Sequence, residues 1–121
     1  MTKTVLVVDD STSMRQMVTF TLKGAGFSVI EGGNGQEGLL KLDGQKVDLI
    51  IADLNMPVMN GFDMVRQIRA KAQYKFTPIL MLTTESQDAK KAEGKAAGAT
   101  GWIVKPFDPK QLLQVVAKVL P

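Results

Sequence analysis

The stretch VLVVDD at residues 5–10, together with LIIAD at residues 49–53, decides the fold class. Short β-branched apolar runs are typical of buried parallel strands, and such strands place their carboxyl ends at one edge of a sheet. Asp9, Asp10 and Asp53 would meet at that edge, where ligands bind in open α/β sheets. Two ionised carboxylates about 5 Å apart repel by roughly 3 kcal/mol at an effective dielectric of about 20. We therefore predict that the cluster binds a hard cation such as Mg²⁺.

Five strand-like runs alternate with five helix-like runs, which predicts an α/β fold of five βα units. Right-handed crossovers would place helices on both faces of a doubly wound, five-stranded parallel sheet. The predicted strands are 4–8, 27–31, 47–52, 78–83 and 101–104. Three helical faces are predicted from the spacing of their residues: Met14, Met17, Val18, Thr21 and Ala25; Met64, Val65 and Ile68; and Leu112, Val115, Val116, Val119 and Leu120.

The helix-like segment 86–98 differs from the others, because alanine supplies all of its apolar residues and Gly94 interrupts it. Such a helix buries little apolar area, and a mid-helix glycine costs roughly 0.5–1 kcal/mol relative to alanine. We predict that it is weakly anchored. It is either a solvated surface helix or an element that shifts in a switch.

The length and composition of the chain exclude several kinds of site and partner. The 121 residues fit one domain, and we expect no second domain after the helix-like run 109–120. Without cysteine or histidine, the chain has no disulfide, no cysteine or histidine metal site and no phosphohistidine of its own. The net charge of +3 is modest and no nucleic-acid motif accompanies it, so no nucleic-acid partner is expected. The apolar run after Lys3 is too short for a signal peptide or membrane span, which predicts a cytoplasmic protein without a membrane partner.

Four residues at strand ends have an ordinary explanation when each is taken alone. Asp10 could cap a helix, Asp53 could belong to a turn, Thr83 could be a strand residue, and Lys105 could be solvated. Together they follow strands 1, 3, 4 and 5, which favours a common site. A carboxylate can act as a nucleophile and form an aspartyl phosphate. Mg²⁺ and Lys105 would supply positive charge, and the Thr83 hydroxyl would supply a donor.

Five motifs in order along the chain resemble the receiver domain of bacterial two-component response regulators. They are VLVVDDSTSMR at 5–15, NGQEGL at 34–39, DLNMPVMNG at 53–61, MLTTE at 81–85 and GATGWIVKPF at 98–107. The resemblance spans essentially the whole chain and is closest to the stand-alone, CheY-type subgroup. It implies a flavodoxin-like fold with strand order 2-1-3-4-5, which the alternation of elements does not determine.

The resemblance also implies a set of ligands and a phosphoacceptor. Asp53 would be the phosphoacceptor. Asp10 and Asp53 would bind Mg²⁺ directly, Asp9 would act mainly through water, and the backbone carbonyl of Asn55 would be a further ligand. The side chains of Asn55 and Glu85 would tune the lifetime of the phosphoryl group.

Other positions would carry the switch. Thr83 and Lys105 would sense and neutralise the phosphoryl group, and the adjacent Thr84 is an alternative source of the hydroxyl. Trp102 occupies the aromatic switch position, where tyrosine or phenylalanine is more usual. The Lys105–Pro106 peptide bond is expected to be cis. Gly38 stands where alanine is more typical.

These roles imply a phosphorylation-operated switch that is not an enzyme beyond catalysing its own phosphorylation and dephosphorylation. A histidine kinase would donate the phosphoryl group. A flagellar motor switch protein, or another target, would bind a monomer through helix 86–98, strand 101–104 and helix 109–120. The chemotaxis assignment rests on the resemblance alone.

Three alternatives remain open. Within the family, the chain could be a phosphorelay intermediate or a phosphate sink. Outside it, the chain could be a Mg²⁺-dependent phosphohydrolase with its aspartate nucleophile after strand 1, although the acidic pair here is adjacent and not spaced as DxD. A non-catalytic pseudo-receiver scaffold is the third, and the intact acidic set argues against it.

Overall fold

Five parallel strands form a single sheet in the order β2-β1-β3-β4-β5, which confirms the predicted fold class and strand order. The structure, a computed structural model, describes residues 2–42, 44–84 and 91–120. The strands are β1 (Thr4–Val8), β2 (Ser28–Gly32), β3 (Leu49–Asp53), β4 (Ile79–Thr84) and β5 (Gly101–Lys105).

β1 has the predicted bounds, and the other four strands differ from the prediction by one or two residues at one or both ends. β2 begins at Ser28 because the amide of Phe27 donates to the carbonyl of Leu22 and so closes the preceding helix. β3 begins at Leu49 and includes Asp53, whose partner in the ladder is Leu82. Asp53 is therefore the last residue of its strand and not the first residue of a loop.

Helices follow the strands and cover both faces of the sheet. They are α1 (Thr12–Gly24), α2 (Gly35–Leu42), α3 (Gly61–Arg69), α4 (Lys91–Ala97) and α5 (Pro109–Val119), with a 3₁₀ turn at Ala72–Tyr74. Polar side chains cap four of them: Ser11 caps α1, Asn34 caps α2, Asn60 caps α3, and Asp108 forms a capping box at α5. No helix within the described ranges is both long and apolar enough to cross a membrane.

Two hydrophobic cores lie on opposite faces of the sheet, because successive strand residues point to opposite sides. Leu6 and Ile50 belong to the core that α3 completes with Met64 and Ile68. The other core contains Val5, Val7, Leu22, Leu112 and Val116 on β1, α1 and α5. All five residues of β3 are buried, so the strand that ends in Asp53 is the best-packed part of the sheet.

The predicted helical faces are correct for α3 and partly wrong for α1. Met64, Val65 and Ile68 are fully buried. In α1 the buried residues are Val18, Thr19 and Leu22, whereas Met14, Met17 and Thr21 are half-buried. Ala25 is exposed because α1 ends at Gly24 and Ala25 is its C-cap. In α5, likewise, Leu120 is the C-cap.

The segment predicted as helix 86–98 is described from residue 91 onward, and Ala89 lies outside the described residues. Ala92 and Ala96 are exposed, which agrees with little apolar burial, whereas Ala97 is buried in the core that contains Phe62. Gly94, however, is buried. A methyl group at this position would lie 2.8 Å from Cε1 of Phe62 and 2.8 Å from two carbons of the Trp102 indole. Gly94 is therefore a close-packing residue and not simply an interruption.

The guanidinium of Arg69, at the end of α3, binds the C-terminal end of α4. Its Nε donates to the carbonyl of Gly98 at 3.0 Å. Its Nη1 lies 2.9 Å from the carbonyl oxygen of Tyr74 and 2.6 Å from that of Thr77, in the loop before β4. One side chain thus joins α3, the end of α4 and the start of β4.

Candidate functional site

The carboxyl ends of four strands bring the predicted site residues together. Asp9 follows β1, while Asp53 and Lys105 are the last residues of β3 and β5. Thr83 lies on β4 and pairs with Val104, next to the pair Thr84–Lys105. The order β1-β3-β4-β5 makes these strands neighbours, so one edge of the sheet carries all of these residues.

Three carboxylates share this edge. Asp9, Asp10 and Asp53 each place one oxygen within 4.8 Å of the others. Asp9 is fully buried and Asp53 is 8% exposed, whereas Asp10 is exposed. Ser11, and not Asp10, caps α1, so the helix cap does not account for Asp10. Within the described residues, one lysine faces the cluster: Nζ of Lys105 lies 3.1 Å from Oδ1 of Asp53 and 3.8 Å from Oδ2 of Asp9.

Two buried polar atoms of the site lack a hydrogen-bond partner among the described residues. They are Oδ2 of Asp9 and the hydroxyl oxygen of Thr83. Buried polar atoms are normally satisfied, so an orphaned carboxylate oxygen beside two further carboxylates fits the binding of a cation at this edge. Oxygen donors of this kind fit Mg²⁺. The Thr83 hydroxyl is buried while Thr84 is exposed, which favours Thr83 for the switch hydroxyl.

The pKa values of two carboxylates in the cluster, Asp9 and Asp53, are raised. Burial raises the pKa of Asp9, although the Ser11 amide and Lys105 oppose this shift. Burial also raises the pKa of Asp53, the negative charge of Asp9 raises it further, and Lys105 lowers it. Both carboxylates are therefore held in an environment that disfavours their charged forms, despite the adjacent lysine.

The free energy of unfolding is expected to rise as the pH falls from neutral in Mg²⁺-free solution. The raised pKa values mean that the folded protein takes up protons before the unfolded chain does. This proton uptake stabilises the folded protein as the pH falls through the raised pKa values of Asp9 and Asp53 toward 3.8, the ordinary pKa of an aspartate in the unfolded chain. Urea unfolding at a series of pH values measures the effect. Asp53→Asn, which cannot take up this proton, should show a smaller rise, and an identical pH dependence would contradict the prediction.

The remaining predicted positions are less completely defined. Asn55 is exposed two residues beyond Asp53, and its roles as a ligand and in phosphoryl lifetime stay predictions. Glu85 lies outside the described residues. The Lys105–Pro106 peptide bond is cis, which confirms the expectation. Trp102 is half-buried and packs against the core that contains Phe62.

Two residues of this region were not singled out from the sequence. Arg15 donates from Nη1 to the carbonyl of Asp9 at 2.6 Å, a contact that sequence spacing does not indicate. Val58, in the loop between β3 and α3, has a φ of +71°, which is rare for a β-branched residue. The amide of Met59 donates to the carbonyl of Pro57 at 2.8 Å, so Val58 is the centre of a strained γ-turn in the loop that follows Asp53.

Comparisons with known proteins agree with this geometry. The family model described as the response regulator receiver domain matches residues 5–117. The chain is 41% identical over 117 residues to chemotaxis protein CheY1 of Helicobacter pylori, covering 95% of this chain and 94% of that protein. It is 38% identical to the transcriptional regulatory protein ResD of Bacillus subtilis, of which it covers 47%. The crystal structure of chemotaxis response regulator CheY4 of Vibrio cholerae is similar, with a TM-score of 0.95, 55% identity, and coverage of 99% of this chain and 100% of that one.

Proposed function

The chain belongs to the response regulator receiver domain family, and we propose on that basis that it is a phosphorylation-activated signalling switch. Residues 1–121 would act as a single receiver domain that accepts a phosphoryl group on Asp53. One observation carries this assignment: Asp53, at the end of the fully buried strand β3, has Lys105 at 3.1 Å and two further carboxylates beside it. Relatives named as chemotaxis proteins support a role in chemotaxis.

Each side chain of the site has a separate role in the proposed phosphoryl transfer. A carboxylate oxygen of Asp53 attacks the phosphorus of a kinase phosphohistidine. The P–N bond then breaks, and the imidazole nitrogen keeps the electron pair. Lys105 remains beside the oxygens that gain negative charge, and the Thr83 hydroxyl donates to one of them. Mg²⁺, held by Asp9, Asp10, Asp53 and the carbonyl of Asn55, would supply the remaining positive charge when bound.

The protein is its own substrate in this scheme and turns over no other molecule. Asn55 and Glu85 follow Asp53 and Thr83 by two residues, and we propose that their side chains tune the lifetime of the phosphoryl group. Asp9 is a poor alternative nucleophile, because it is fully buried, whereas Asp53 is 8% exposed and contacts Lys105 at 3.1 Å. This contact favours the receiver function over a phosphohydrolase that attacks from β1.

Covalent trapping tests the proposed function. Incubation with acetyl phosphate and Mg²⁺, followed by borohydride reduction and mass spectrometry, should locate one modification, on Asp53. Omission of Mg²⁺ should prevent the modification. Label on Asp9, Ser11 or Thr83 would refute the assignment, and label on Asp9 would favour the phosphohydrolase.

Millimolar Mg²⁺ is expected to raise the melting temperature of the unmodified protein. The cation binds only the native arrangement of carboxylates, so mass action stabilises the fold. Asp10→Ala should remove most of this rise, and differential scanning fluorimetry measures it. Asp63→Asn is the matched control, because Asp63 is an exposed acid that pairs with Arg66 on the surface. An Mg²⁺ response of normal size in Asp10→Ala would exclude the proposed site.

The face formed by α4, β5 and α5 is the proposed surface for partners. A groove of about 310 Å³ lies between β5 and α5 on this face, lined by Trp102, Phe107, Val115 and Lys118 among others. A flagellar motor switch protein is the proposed target and a chemotaxis histidine kinase the proposed donor. We further propose that the protein is a monomer that meets both partners in the cytoplasm.

Phosphorylation is expected to shift the fluorescence emission of Trp102, the only tryptophan, toward the blue. The Thr83 hydroxyl has no described partner, so it is free to turn toward the phosphoryl group, and the indole can move deeper into the space it leaves. Mg²⁺ alone should cause no shift, and Asp53→Asn should abolish it. If emission and quencher accessibility stay constant on full phosphorylation, Trp102 is a static anchor.

A further inference from the structure

Every polar group of Asp9 is engaged except one carboxylate oxygen. Its amide donates to the carbonyl of Gly32 at 3.1 Å. Its carbonyl accepts from Nη1 of Arg15 at 2.6 Å, and its Oδ1 accepts from the amide of Ser11 at 2.9 Å. The remaining atom, Oδ2, is buried without a hydrogen-bond partner among the described residues and lies 3.8 Å from Nζ of Lys105. The surroundings of Asp9 thus fix which oxygen faces the site.

Arg15 is itself held at two points. It lies in the second turn of α1, and its Nε donates to Oε1 of Glu31 on β2 at 3.1 Å. The side chains of Arg15 and Glu31 are 20% and 40% exposed, so the pair is partly shielded from water. A planar guanidinium that donates through Nε and Nη1 has little rotational freedom. The guanidinium therefore bridges the β2 strand and the loop that carries Asp9.

Arg15 contacts the backbone carbonyl of Asp9, and this affects how much negative charge the Asp9 side chain offers to a cation. Arg15 binds the neutral backbone carbonyl and not the carboxylate, so it leaves the negative charge of Asp9 available to a cation. A guanidinium this close to a cation site would normally weaken cation binding by repulsion. Glu31 offsets that charge. Positioning and repulsion thus predict opposite effects of removing Arg15, and a binding measurement can separate them.

We propose that Arg15 is a positioning residue for the Mg²⁺ site: it holds the Asp9 backbone so that Oδ2 faces the cation, and Glu31 neutralises its charge. The proposal rests on the proposed function, because it requires the carboxylate cluster to bind Mg²⁺. Groups that orient metal ligands in this way are typically worth ten- to a hundredfold in metal affinity.

Mg²⁺ titration of the unphosphorylated protein tests this role. Arg15→Met, which keeps the length of the side chain and removes both donors, should weaken Mg²⁺ binding about tenfold. The dissociation constant is read from the rise in melting temperature with Mg²⁺ concentration. Arg66→Met is the matched control, because the ion pair of Arg66 with Asp63 is exposed on the surface, and the dissociation constant of this variant should equal that of the wild type.

A double-mutant cycle with Glu31→Gln extends the test. Glu31→Gln alone should also weaken binding, because it frees the guanidinium and leaves its charge uncompensated. The double variant should bind Mg²⁺ no more weakly than Arg15→Met, since Glu31 acts through Arg15. If the losses of Mg²⁺ affinity in the two single variants add up in the double variant, Glu31 does not act through Arg15 and this part of the proposal is wrong. Glu31→Gln alone keeps the proposal testable if Arg15→Met does not fold.

The failure of this inference is distinguishable from the failure of the proposed function. A lower melting temperature without Mg²⁺, combined with an unchanged dissociation constant, would mean that Arg15 is merely structural. Tighter binding in Arg15→Met would mean that repulsion dominates. Either result would overturn the positioning role while leaving Asp53 labelling of the wild type intact. Absence of Mg²⁺ binding in the wild type itself would overturn the proposed function as well.

Discussion

Asp53→Asn is expected to abolish phosphoryl labelling completely and, at the same time, to make the protein more stable at neutral pH. The gain in the free energy of unfolding should be on the order of 1 kcal/mol, the scale of removing one unfavourably buried charge. Burial and the charge of Asp9 both disfavour the ionised Asp53 carboxylate. Lys105 keeps a partner in the variant, because Oδ2 of Asp9 remains at 3.8 Å.

Lys105→Met is expected to have the opposite effect on stability. The substitution removes the lysine ammonium that lies beside the buried carboxylates of Asp9 and Asp53. It should therefore lower the free energy of unfolding by about 2 kcal/mol. This is less than for a fully buried pair, because the lysine side chain keeps 20% exposure. Urea denaturation without Mg²⁺ measures both variants. A destabilised Asp53→Asn would show that the ion pair outweighs the burial of the carboxylate, contrary to the argument above.

Arg69→Met is expected to lower the free energy of unfolding by about 3 kcal/mol. Methionine keeps the apolar stem of the side chain but loses the donors to the carbonyls of Gly98, Tyr74 and Thr77. Carbonyls that lose a charged donor in a partly buried position have few replacement partners. Chemical denaturation gives the magnitude, and Mg²⁺ affinity should stay at the wild-type value.

Arg66→Met again serves as the control, since its ion pair with Asp63 is exposed and such pairs contribute about 0–1 kcal/mol. A loss in Arg69→Met no larger than in this control would show that water replaces the lost donors. In that case the Arg69 contacts would not contribute to stability.

The fold class and the main site residues could be predicted because their signals are local in sequence. An apolar run that ends in aspartate, threonine or lysine marks a strand and its carboxyl end at once. Strand order could not be obtained in this way, because alternation of strands and helices does not determine which strands are neighbours. The order came only with the family resemblance, and the structure confirms it.

What the sequence did not indicate depends on contacts between distant segments. Arg15 binds one backbone carbonyl and Arg69 binds four, and no sequence pattern marks a carbonyl as an acceptor. The buried face of α1 was misplaced at Ala25, because the end of the helix depends on the chain that follows it. The strained turn at Val58 has no sequence signal, since a β-branched residue is rarely found at a positive φ.

The contact of Gly94 with two aromatic rings has an evolutionary consequence. A β-carbon at this position would collide with Cζ3 and Cη2 of Trp102, atoms of the second indole ring that tyrosine and phenylalanine do not possess. Phe62 closes the space from the other side. The residue at 94 is therefore expected to covary with those at 62 and 102. Lineages with a smaller aromatic residue at 102 and a smaller side chain at 62 can accommodate alanine at 94, whereas lineages with tryptophan retain glycine.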